Sequence, residues 1–310
     1  MWNVFIDGSA GTTGLRIAER LSERTELNIL RLPEAQRKSP EARRQMLEQA
    51  DVAFLCLPDD AARESVALAE GTDTILIDTS TAHRTMPDWA YGFAELSDVH
   101  RSRICSGKRL AVPGCHASGF IALVYPLVKS GLVPADFPFT CFSLTGYSGG
   151  GKKMIAQYED PAEQGLKSPR QYGTGQVHKH LPEMQKIPGL VRPPVFSPVV
   201  APYYSGMQVT VPLQMHLLPG VTPQQIAEVY ASQYANAKLV KALPYSGENT
   251  FLASDSLSGK DTMEVGVYGN EERLLLVSRF DNLGKGASGA AMQCMNLALG
   301  LAETAGLVTE

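Results

Sequence analysis

The sequence predicts an α/β fold, with a doubly wound parallel sheet in the first part of the chain and an α+β domain after it. Three observations support this prediction. Strand-like and helical segments alternate through the first eighty residues, two of these strands are nearly continuous apolar runs, and a glycine-rich turn follows the first strand. A chain of 310 residues is long enough for two domains of ordinary size.

Composition and charge narrow the class of protein. Hydrophobic residues make up 44% of the chain and charged residues 19%, which is typical of globular rather than disordered proteins. With 28 basic and 32 acidic side chains the formal net charge is −4, which does not favour nucleic-acid binding. No apolar run approaches the roughly 18 residues of a membrane span, and no basic and apolar leader is visible. We therefore expect a cytoplasmic enzyme that binds neither nucleic acid nor membranes.

The cysteines agree with this expectation. There are five, they lie far apart and they form no CxxC pair. This pattern argues against a disulfide framework and against a zinc ribbon, and it suits a reducing compartment.

The first domain is predicted to consist of βαβ units. The predicted strands are 2–8, 26–32, 52–57 and 74–80, and the predicted helices are 14–21, 40–50 and 59–70. Gly71 suits the position just after the end of the third helix. Because such units have right-handed crossovers, these segments predict one doubly wound sheet.

The alternation loosens in the second part of the chain. The predicted elements are a strand at 109–114, a helix at 117–131, strands at 139–146 and 206–215, a helix at 222–236, a hairpin of 263–269 with 273–280, and a helix at 287–305. Pro126 predicts a kink or an early end of its helix. Residues 158–195 are rich in Pro, Gly, Lys and His and predict a long functional loop. The second domain is therefore expected to be α+β, with an antiparallel or mixed sheet.

The glycine-rich turn after the first strand is the first candidate binding site. Glycines there allow a tight turn and a close approach of the backbone to a pyrophosphate, which the helix N-terminus attracts. The spacing is GxxGxxG rather than GxGxxG, and no Gly-Lys-Ser/Thr follows, so the segment is not a P-loop. A tight turn that binds nothing is the alternative. The residues predicted to bind a dinucleotide are Gly8, Ser9, Gly11, Thr12, Thr13 and Gly14.

The end of the second strand bears on the choice of cofactor. It carries Arg31 and no acidic residue, and Arg37 and Lys38 follow shortly after. A basic residue in this region favours the 2′-phosphate of NADP, whereas an acidic one favours NAD. Glu34 weakens the inference. The sequence therefore predicts NADP, with NAD as the alternative.

Cys115 is the candidate nucleophile. It lies in VPGCHASG, between a predicted strand and a predicted helix. The N–H groups and the dipole of a helix N-terminus stabilise a thiolate, and the same N–H groups can hold an oxyanion on an attacked carbonyl. Cys56, Cys141 and Cys294 are predicted to be packing residues, and Cys105 carries no signal.

A thiol nucleophile needs a group that takes its proton. His178 and His180 lie in the polar 158–195 segment, just before a helix-start pattern that contains Glu183. Either histidine can act as general base, oriented by Glu183, and the sequence does not separate the two. A surface histidine pair is the alternative. No metal site is predicted, because no third ligand stands at a usable spacing.

Two further segments are candidate anion sites. Ser148, Gly149 and Lys152 lie in GYSGGGKK, where glycines expose backbone N–H groups and lysines supply charge. The same segment matches the G-x-S-x-G of a hydrolase nucleophile elbow, but three successive glycines make a poor helix start and no HGGG-type oxyanion partner is present. Arg84, just after the fourth strand, is either a clamp for a carboxylate or phosphate or an ordinary surface residue.

Together these segments resemble the N-acetyl-gamma-glutamyl-phosphate reductases, and specifically their short form. The resemblance covers most of the chain, in the segments GSAGTTG, DTSTAHR, YGFAEL, VPGCHASG, GYSGGGKK, HKHLPE and DNLGKGASG. The PGC and NLGKGASG segments are the most specific of these. The family commonly has an aromatic residue or Pro after the cysteine and a Thr two positions later, where this chain has His116 and Ser118. This departure is typical of the short form and leaves the nucleophile intact.

The resemblance implies a fold like that of glyceraldehyde-3-phosphate and aspartate-semialdehyde dehydrogenases. Residues 1–114 plus 288–310 would form a Rossmann-like dinucleotide-binding domain, to which the last helix returns, and residues 115–287 a catalytic and dimerisation domain. The resemblance also implies a homo-oligomer, either a dimer or a tetramer. It adds Ser80 and Asn282 to the cofactor-binding residues.

The implied reaction is the NADPH-dependent reduction of N-acetylglutamyl 5-phosphate to N-acetylglutamate 5-semialdehyde, a step of arginine biosynthesis, through a thioester on Cys115. The residues that would bind the substrate and its phosphate are Arg84, Ser148, Gly149, Lys152 and Glu183. Two other hypotheses stay open. One is a sister enzyme that acts on aspartyl phosphate, against which HKHLPE and YGFAEL argue, and the other is a catalytically silent NADP-binding sensor.

Overall fold

The computed structural model describes residues 1–9, 11–162 and 164–310, and for Thr12 and Gln164 it describes the backbone only. The chain divides into two compact units. The first comprises Met1–Gly114 with Ala287–Leu307, and the second Cys115–Gly286 with Val308–Glu310. Val308 belongs to the second unit because its N–H donates to Asp261 Oδ2 at 2.8 Å and its carbonyl accepts from the Asp261 N–H at 2.7 Å.

The first unit contains a parallel sheet of six strands in the order β2-β1-β3-β4-β6-β5. The strands are β1 (Trp2–Asp7), β2 (Leu27–Leu30), β3 (Val52–Leu55), β4 (Ile75–Asp78), β5 (Ala90–Tyr91) and β6 (Arg109–Ala111). All of their pairings are parallel, as the apolar runs predicted. The strand order reverses between β1 and β3, and sheets of this kind bind ligands at the carboxyl ends of the strands at such a point.

The second unit contains a mixed sheet of seven strands in the order β11-β12-β13-β10-β7-β9-β8. The strands are β7 (Thr140–Gly146), β8 (Arg170–Gln171), β9 (Val195–Ala201), β10 (Met207–Gln214), β11 (Val240–Ala242), β12 (Met263–Gly269) and β13 (Arg273–Phe280). The β7–β9 and β11–β12 pairs are parallel and the others antiparallel. The predicted α+β character and the hairpin of β12 with β13 are therefore confirmed.

Helices connect and cover the two sheets. They are α1 (Thr12–Ser22), α2 (Pro40–Gln49), α3 (Asp59–Leu68), α4 (Asp98–Ser106), α5 (Cys115–Lys129), α6 (Gly151–Glu159), α7 (Leu181–Lys186), α8 (Pro223–Gln233) and α9 (Gly289–Ala298). Among the described residues, none of these helices is long and apolar enough to cross a membrane. Helix α9 packs into the core of the first unit, where Met292 and Met295 are fully buried in the same cluster as Val4 and Phe54.

Helix α5 lies directly against the sheet of the second unit. A Cβ atom at Gly119 would come within 2.4 Å of Val209 Cγ2 on β10, so only glycine permits this approach. On β13, the Ser278 hydroxyl donates to the Gly119 carbonyl at 3.1 Å. This packing fixes the start of α5, and therefore Cys115, relative to β7, β10 and β13.

The structure corrects the sequence predictions in four places. Of the two outcomes predicted for Pro126, a kink or an early end, the early end is wrong, because helix α5 continues through Pro126 to Lys129. The 158–195 segment is not only loop, since β8 and α7 lie within it and β9 begins at Val195. The last helix ends at Ala298 rather than 305, and a π-helical turn over Gly284–Ser288 precedes it. Helix α6 begins at Gly151, the last residue of the glycine run, although three successive glycines predict a poor helix start.

Candidate active site

The glycine-rich turn in the first unit has the close packing that its sequence predicted. Gly8 has a φ of +88°, and a Cβ atom there would lie 2.3 Å from the Cys56 carbonyl oxygen. A Cβ atom at Gly14 would lie 2.6 Å from the Gly8 carbonyl oxygen. At Gly11 the nearest described atom would be 3.7 Å away. The turn itself therefore requires Gly8 and Gly14, whereas a Cβ atom at Gly11 would make only ordinary van der Waals contacts, so packing among the described atoms does not require glycine there.

The N-terminus of α1 is suited to an anion. Its N-cap is Gly11, none of the described side chains caps it, and its first turn contains no acidic residue. The first N–H groups of a helix have no partner within the helix, and with the helix dipole they attract phosphate groups. Ser9 and Thr13 lie at this turn and are half-buried, whereas the predicted contribution of the Thr12 side chain lies outside what the structure describes.

A cavity of about 690 Å³ adjoins this turn within the first unit. Gly8 and Ser9 line it at the end of β1, and Leu30 and Arg31 line it at the end of β2. Lys38 completes a basic rim together with Arg37, although Arg37 is paired with Glu34. Arg31 and Lys38 are exposed and form no hydrogen bond or ion pair with any described residue. The volume suits a cofactor-sized ligand, and the two available cations suit a phosphate at the β2 end. The residues present therefore fit NADP.

Ser80 and Arg84 follow β4, and their polar groups are bonded within the first unit. The Ser80 hydroxyl donates to Asp78 Oδ2 at 2.7 Å, and its N–H donates to Asp78 Oδ1 at 2.9 Å. Arg84 is buried, with Nε donating to the Val112 carbonyl at 2.8 Å and Nη2 to the Thr79 carbonyl at 3.1 Å. Arg84 is therefore not an ordinary surface residue, because its guanidinium braces the ends of β4 and β6.

Cys115 is the first residue of α5 and is half-exposed. A Cβ atom at Gly286 would lie 3.0 Å from Cys115 Cβ, so the absence of a side chain there allows the π-helical turn to pass close to the nucleophile. The other cysteines have different environments. Loss of hydration raises the pKa of the Cys56 thiol to about 12, and burial also raises the pKa of Cys141. Cys294 is buried and Cys105 is exposed. Cys115 alone among the five combines a helix N-terminus with partial exposure.

Three histidines cluster in the second unit, and one of them, His116, directly follows Cys115 on α5. The ring centres of His178 and His180 are 4.7 Å apart, and the ring of His116 lies 5.6 Å from each of them. The His180 backbone N–H donates to His178 Nδ1 at 3.2 Å. A nitrogen that accepts a hydrogen bond carries no proton, so neutral His178 has its proton on Nε2. Sequence reasoning placed His178 and His180 in the site, and the structure brings both close to the residue that follows Cys115.

Glu183 lies in the first turn of α7 and its side chain is 1% exposed. A carboxyl group so completely buried needs polar partners, and its helix starts directly after the histidine pair. The sequence predicts that Glu183 orients the histidine that acts as base, and this role stays a prediction.

The GYSGGGKK segment does not form a nucleophile elbow. The Ser148 side chain is 1% exposed, and its hydroxyl oxygen accepts a hydrogen bond from Asn282 Nδ2 at 3.0 Å. Asn282 Oδ1 in turn accepts the Gly206 N–H at 2.9 Å. Ser148 and Asn282 therefore support each other and the turn after β7. Gly149 and Lys152, by contrast, are exposed at the start of α6.

Sequence reasoning missed Tyr172 and the role of His116. His116 is 2% exposed, with Nδ1 at 2.7 Å from the Ser143 hydroxyl and Nε2 at 2.6 Å from the Tyr172 hydroxyl. Burial, together with nearby His178, lowers the pKa of His116 to about 3. Burial and the nearby Cys115 raise the pKa of Tyr172. The one sequence signal for His116 was its position directly after Cys115, and none of the motifs contained Tyr172.

Comparison with known protein families identifies both units. Residues 3–104 match the NAD-binding domain of semialdehyde dehydrogenases, and residues 115–282 match their dimerisation domain. Solved structures agree with this fold. Aspartate semialdehyde dehydrogenase II from Vibrio cholerae superposes with a TM-score of 0.73 at 17% identity, over 96% of this chain and 98% of that one. The Candida albicans aspartate semialdehyde dehydrogenase with NADP gives a TM-score of 0.68 at 16% identity, over 96% and 98% of the two chains. Fold and domain order thus define the class of the semialdehyde dehydrogenases.

Relatives with higher sequence identity narrow this class. The chain is 48% identical to the N-acetyl-gamma-glutamyl-phosphate reductase of Brucella anthropi, over 96% of this chain and 98% of the relative. It is 43% identical to N-acetyl-gamma-glutamyl-phosphate reductase 2 of Pseudomonas putida, over 98% of both chains. The chain belongs to the N-acetyl-gamma-glutamyl-phosphate reductase family.

Proposed function

We propose that this protein reduces N-acetyl-L-glutamyl 5-phosphate to N-acetyl-L-glutamate 5-semialdehyde with NADPH and releases phosphate, as a cytoplasmic step of arginine biosynthesis. The observation that carries the proposal is the position of Cys115. This thiol is half-exposed in the first turn of α5, and the next residue, His116, belongs to the histidine cluster. The chain is also 48% identical to a reductase of that name. A silent sensor would not need a thiol in this position.

The first unit would hold the cofactor. Gly8, Ser9, Gly11 and the N-terminus of α1 would receive the pyrophosphate, and Arg31 with Lys38 the 2′-phosphate. NADPH supplies a hydride when bound.

The second unit would carry the covalent chemistry. The Cys115 thiolate attacks the acyl carbon, the carbon–sulfur bond forms, and the bond to the phosphate oxygen breaks, so that phosphate leaves and a thioester remains. N–H groups in the first turn of α5 stabilise the oxyanion of this step. After reduction of the thioester, the carbon–sulfur bond breaks, the aldehyde leaves and the thiolate is restored. His178 or His180 takes the thiol proton at the start of the cycle and gives one back at its end.

The function is tested in the reverse direction. N-acetylglutamate 5-semialdehyde and NADP⁺ should form NADPH only when phosphate is added, which is measured by the absorbance of the reduced cofactor. Aspartate semialdehyde should show a kcat/KM at least about 100-fold lower, because its free ammonium group would lose water in a site built for a neutral acetamide. A higher kcat/KM for aspartate semialdehyde would identify the sister enzyme, and binding of NADP⁺ without turnover would identify a sensor.

If Arg31 and Lys38 bind the 2′-phosphate, their replacement should raise the KM for NADPH but not the KM for NADH. Arg31→Ala or Lys38→Ala should raise the KM for NADPH by roughly 10- to 150-fold, since a hydrogen bond to a charged group contributes about 1.5–3 kcal/mol. The KM for NADH should hardly change, because NADH has no 2′-phosphate. Steady-state kinetics with both cofactors measure this. Arg44→Ala is the matched control, because Arg44 is exposed on α2, pairs with Glu48 and lies outside the cavity. Equal effects on both cofactors would contradict the assignment.

We also propose a homo-oligomer in which a second copy covers the open face of the seven-stranded sheet. This face is opposite α5 and exposes large apolar side chains, with Phe142 at 41% and Leu275 at 46%. Strand register places both on the same side, since Phe142 pairs with Thr210 and Leu275 with Pro212, two residues further along β10. Large exposed apolar surfaces of this kind mark interaction sites. Sedimentation equilibrium of the purified chain measures the assembly directly.

A further inference from the structure

A chain of three side chains leads from the core of the second unit to the nucleophile. Ser143 on β7 is fully buried, His116 follows Cys115 on α5, and Tyr172 follows β8. The His116 ring lies between the two hydroxyl groups, with 2.7 Å from Nδ1 to Ser143 Oγ and 2.6 Å from Nε2 to the Tyr172 hydroxyl oxygen. His116 is therefore bonded at both nitrogens, as a buried imidazole must be to avoid a desolvation cost.

Burial sets the direction of the hydrogen bonds in this chain. Within the described residues, the Ser143 hydroxyl has no side-chain hydrogen-bond partner other than His116. Its proton must therefore point at His116 Nδ1, since a buried hydroxyl proton without an acceptor is strongly unfavourable. Nδ1 then carries no proton, and neutral His116 donates from Nε2 to the Tyr172 oxygen. His116 stays neutral above its pKa of about 3, so this arrangement holds throughout the working pH range.

This direction leaves the Tyr172 proton available. Because the tyrosine oxygen accepts from His116, its own O–H must point away from the ring. Among the described residues, this hydroxyl forms no other hydrogen bond. The residue is half-buried, and Cys115 is close enough to disfavour a negative charge on its oxygen. Its ring also lies 5.9 Å from that of His178. The Tyr172 hydroxyl therefore has a proton left to donate, and it is one hydrogen bond away from the residue that follows the nucleophile.

We propose that His116, supported by Ser143, is a positioning residue that turns the Tyr172 O–H toward the reacting atoms at Cys115. Tyr172 then donates a hydrogen bond to the negative charge that develops on the attacked carbonyl oxygen. His116 takes no proton in the reaction and acts only through Tyr172. The proposal rests on the acyl-phosphate chemistry proposed above, and it assigns a task to a residue at which this chain departs from the common pattern of its family.

A double-mutant cycle tests the proposal. The measurement is the rate constant of phosphate release from acyl phosphate without NADPH, which isolates acylation of Cys115. Tyr172→Phe should lower this rate on the order of 100-fold, similar to the loss of one oxyanion donor, with little change in substrate KM. His116→Gln, which keeps an N–H donor, should lower it about 10-fold, and His116→Leu should lower it as far as Tyr172→Phe does. In the Tyr172→Phe background neither substitution at His116 should cause a further loss, because residues that act as one unit are not additive.

A packing control separates positioning from structural support. Phe196 is buried, and its ring lies 5.3 Å from that of His116 without joining the hydrogen-bond chain. Phe196→Leu should lower the rate constant of phosphate release by the same factor in the wild type and in the Tyr172→Phe background, so that the two losses multiply. If the His116 losses also multiply with that of Tyr172→Phe, His116 is merely a packing residue and the inference is wrong. If wild-type protein shows no phosphate release at all, the proposed function fails instead, so the two failures are distinguishable.

The hydrogen-bond direction has its own test, which does not depend on activity or on the folding of a His116 variant. Nitrogen-15 NMR of the His116 ring should show the proton on Nε2 in the wild type and a mixture of both tautomers in Ser143→Ala. A wild-type proton on Nδ1 would reverse the direction of both hydrogen bonds, that from Ser143 to His116 and that from His116 to Tyr172, and would overturn the proposal.

Discussion

Cys115→Ser should abolish the release of phosphate that the wild-type protein gives with N-acetylglutamyl 5-phosphate and no NADPH. In the wild type, attack by the thiolate expels phosphate and forms a thioester, so release should stop after up to one equivalent per active site. The thioester should persist, because a site that excludes water offers no good nucleophile to hydrolyse it. A serine hydroxyl in the same position is almost entirely protonated and a far weaker nucleophile. Rapid-quench measurement of phosphate gives both the amplitude and the rate constant.

Two control variants make this result specific. Ser148→Ala should keep the full amplitude, because the Ser148 hydroxyl is buried and bonded to Asn282. Cys105→Ser removes the exposed cysteine and should also leave the amplitude unchanged. A burst that survives Cys115→Ser and disappears in Ser148→Ala would overturn the thioester mechanism and restore the hydrolase hypothesis.

Replacement of the catalytic histidine should slow the burst by on the order of 10²–10⁴, the usual contribution of general acid–base catalysis. We expect the larger loss for His178→Asn. His178 is half-exposed and can exchange protons with solvent. His180 is buried at 5% exposure beside the start of α7. His180→Asn should therefore mainly raise KM.

A third variant distinguishes proton transfer from hydrogen bonding. Gln at position 178 keeps an N–H near the place of Nε2 but cannot accept and return a proton. If His178→Gln is as slow as His178→Asn, the histidine transfers a proton; if it recovers most of the rate, the histidine is only a donor. The exposed His216 supplies the control, since His216→Asn should leave the burst unchanged. Equal, small losses at both positions would mean that neither histidine is the base.

Much of this organisation was accessible from the sequence because it depends on local rules. The alternation of strands and helices, the apolar runs of β3 and β4, and the position of Cys115 at a helix start each follow from neighbouring residues. The need for Gly14 is local too, since a Cβ atom there would lie 2.6 Å from the Gly8 carbonyl oxygen, whereas Gly8 is required by the Cys56 carbonyl, which only the pairing of β1 with β3 brings near. Rotamers, turns and helix caps act over a few residues, so their effects can be derived from the letters alone.

Other features were decided only by the tertiary structure. Pro126 removes the N–H that would bond the Ala122 carbonyl, which locally predicts a broken helix. The Tyr234 hydroxyl donates to that carbonyl at 2.7 Å, and α5 continues unbroken. The partner comes from a residue 112 positions away, on another segment of the chain. A rule based on neighbouring residues cannot predict this hydrogen bond.

The candidate site shows the same division. The sequence alone identified the groups that have the chemistry for the reaction: a thiol at a helix start, two histidines and a glycine turn. It could not determine which polar groups are already bonded inside the fold, as those of Ser148, Asn282 and Arg84 are. Nor could it connect Ser143, His116 and Tyr172, because these contacts span 27 and 56 positions. A hydrogen bond depends on distance and direction in space, and for residues far apart in the chain only the packing of α5 on its sheet sets these.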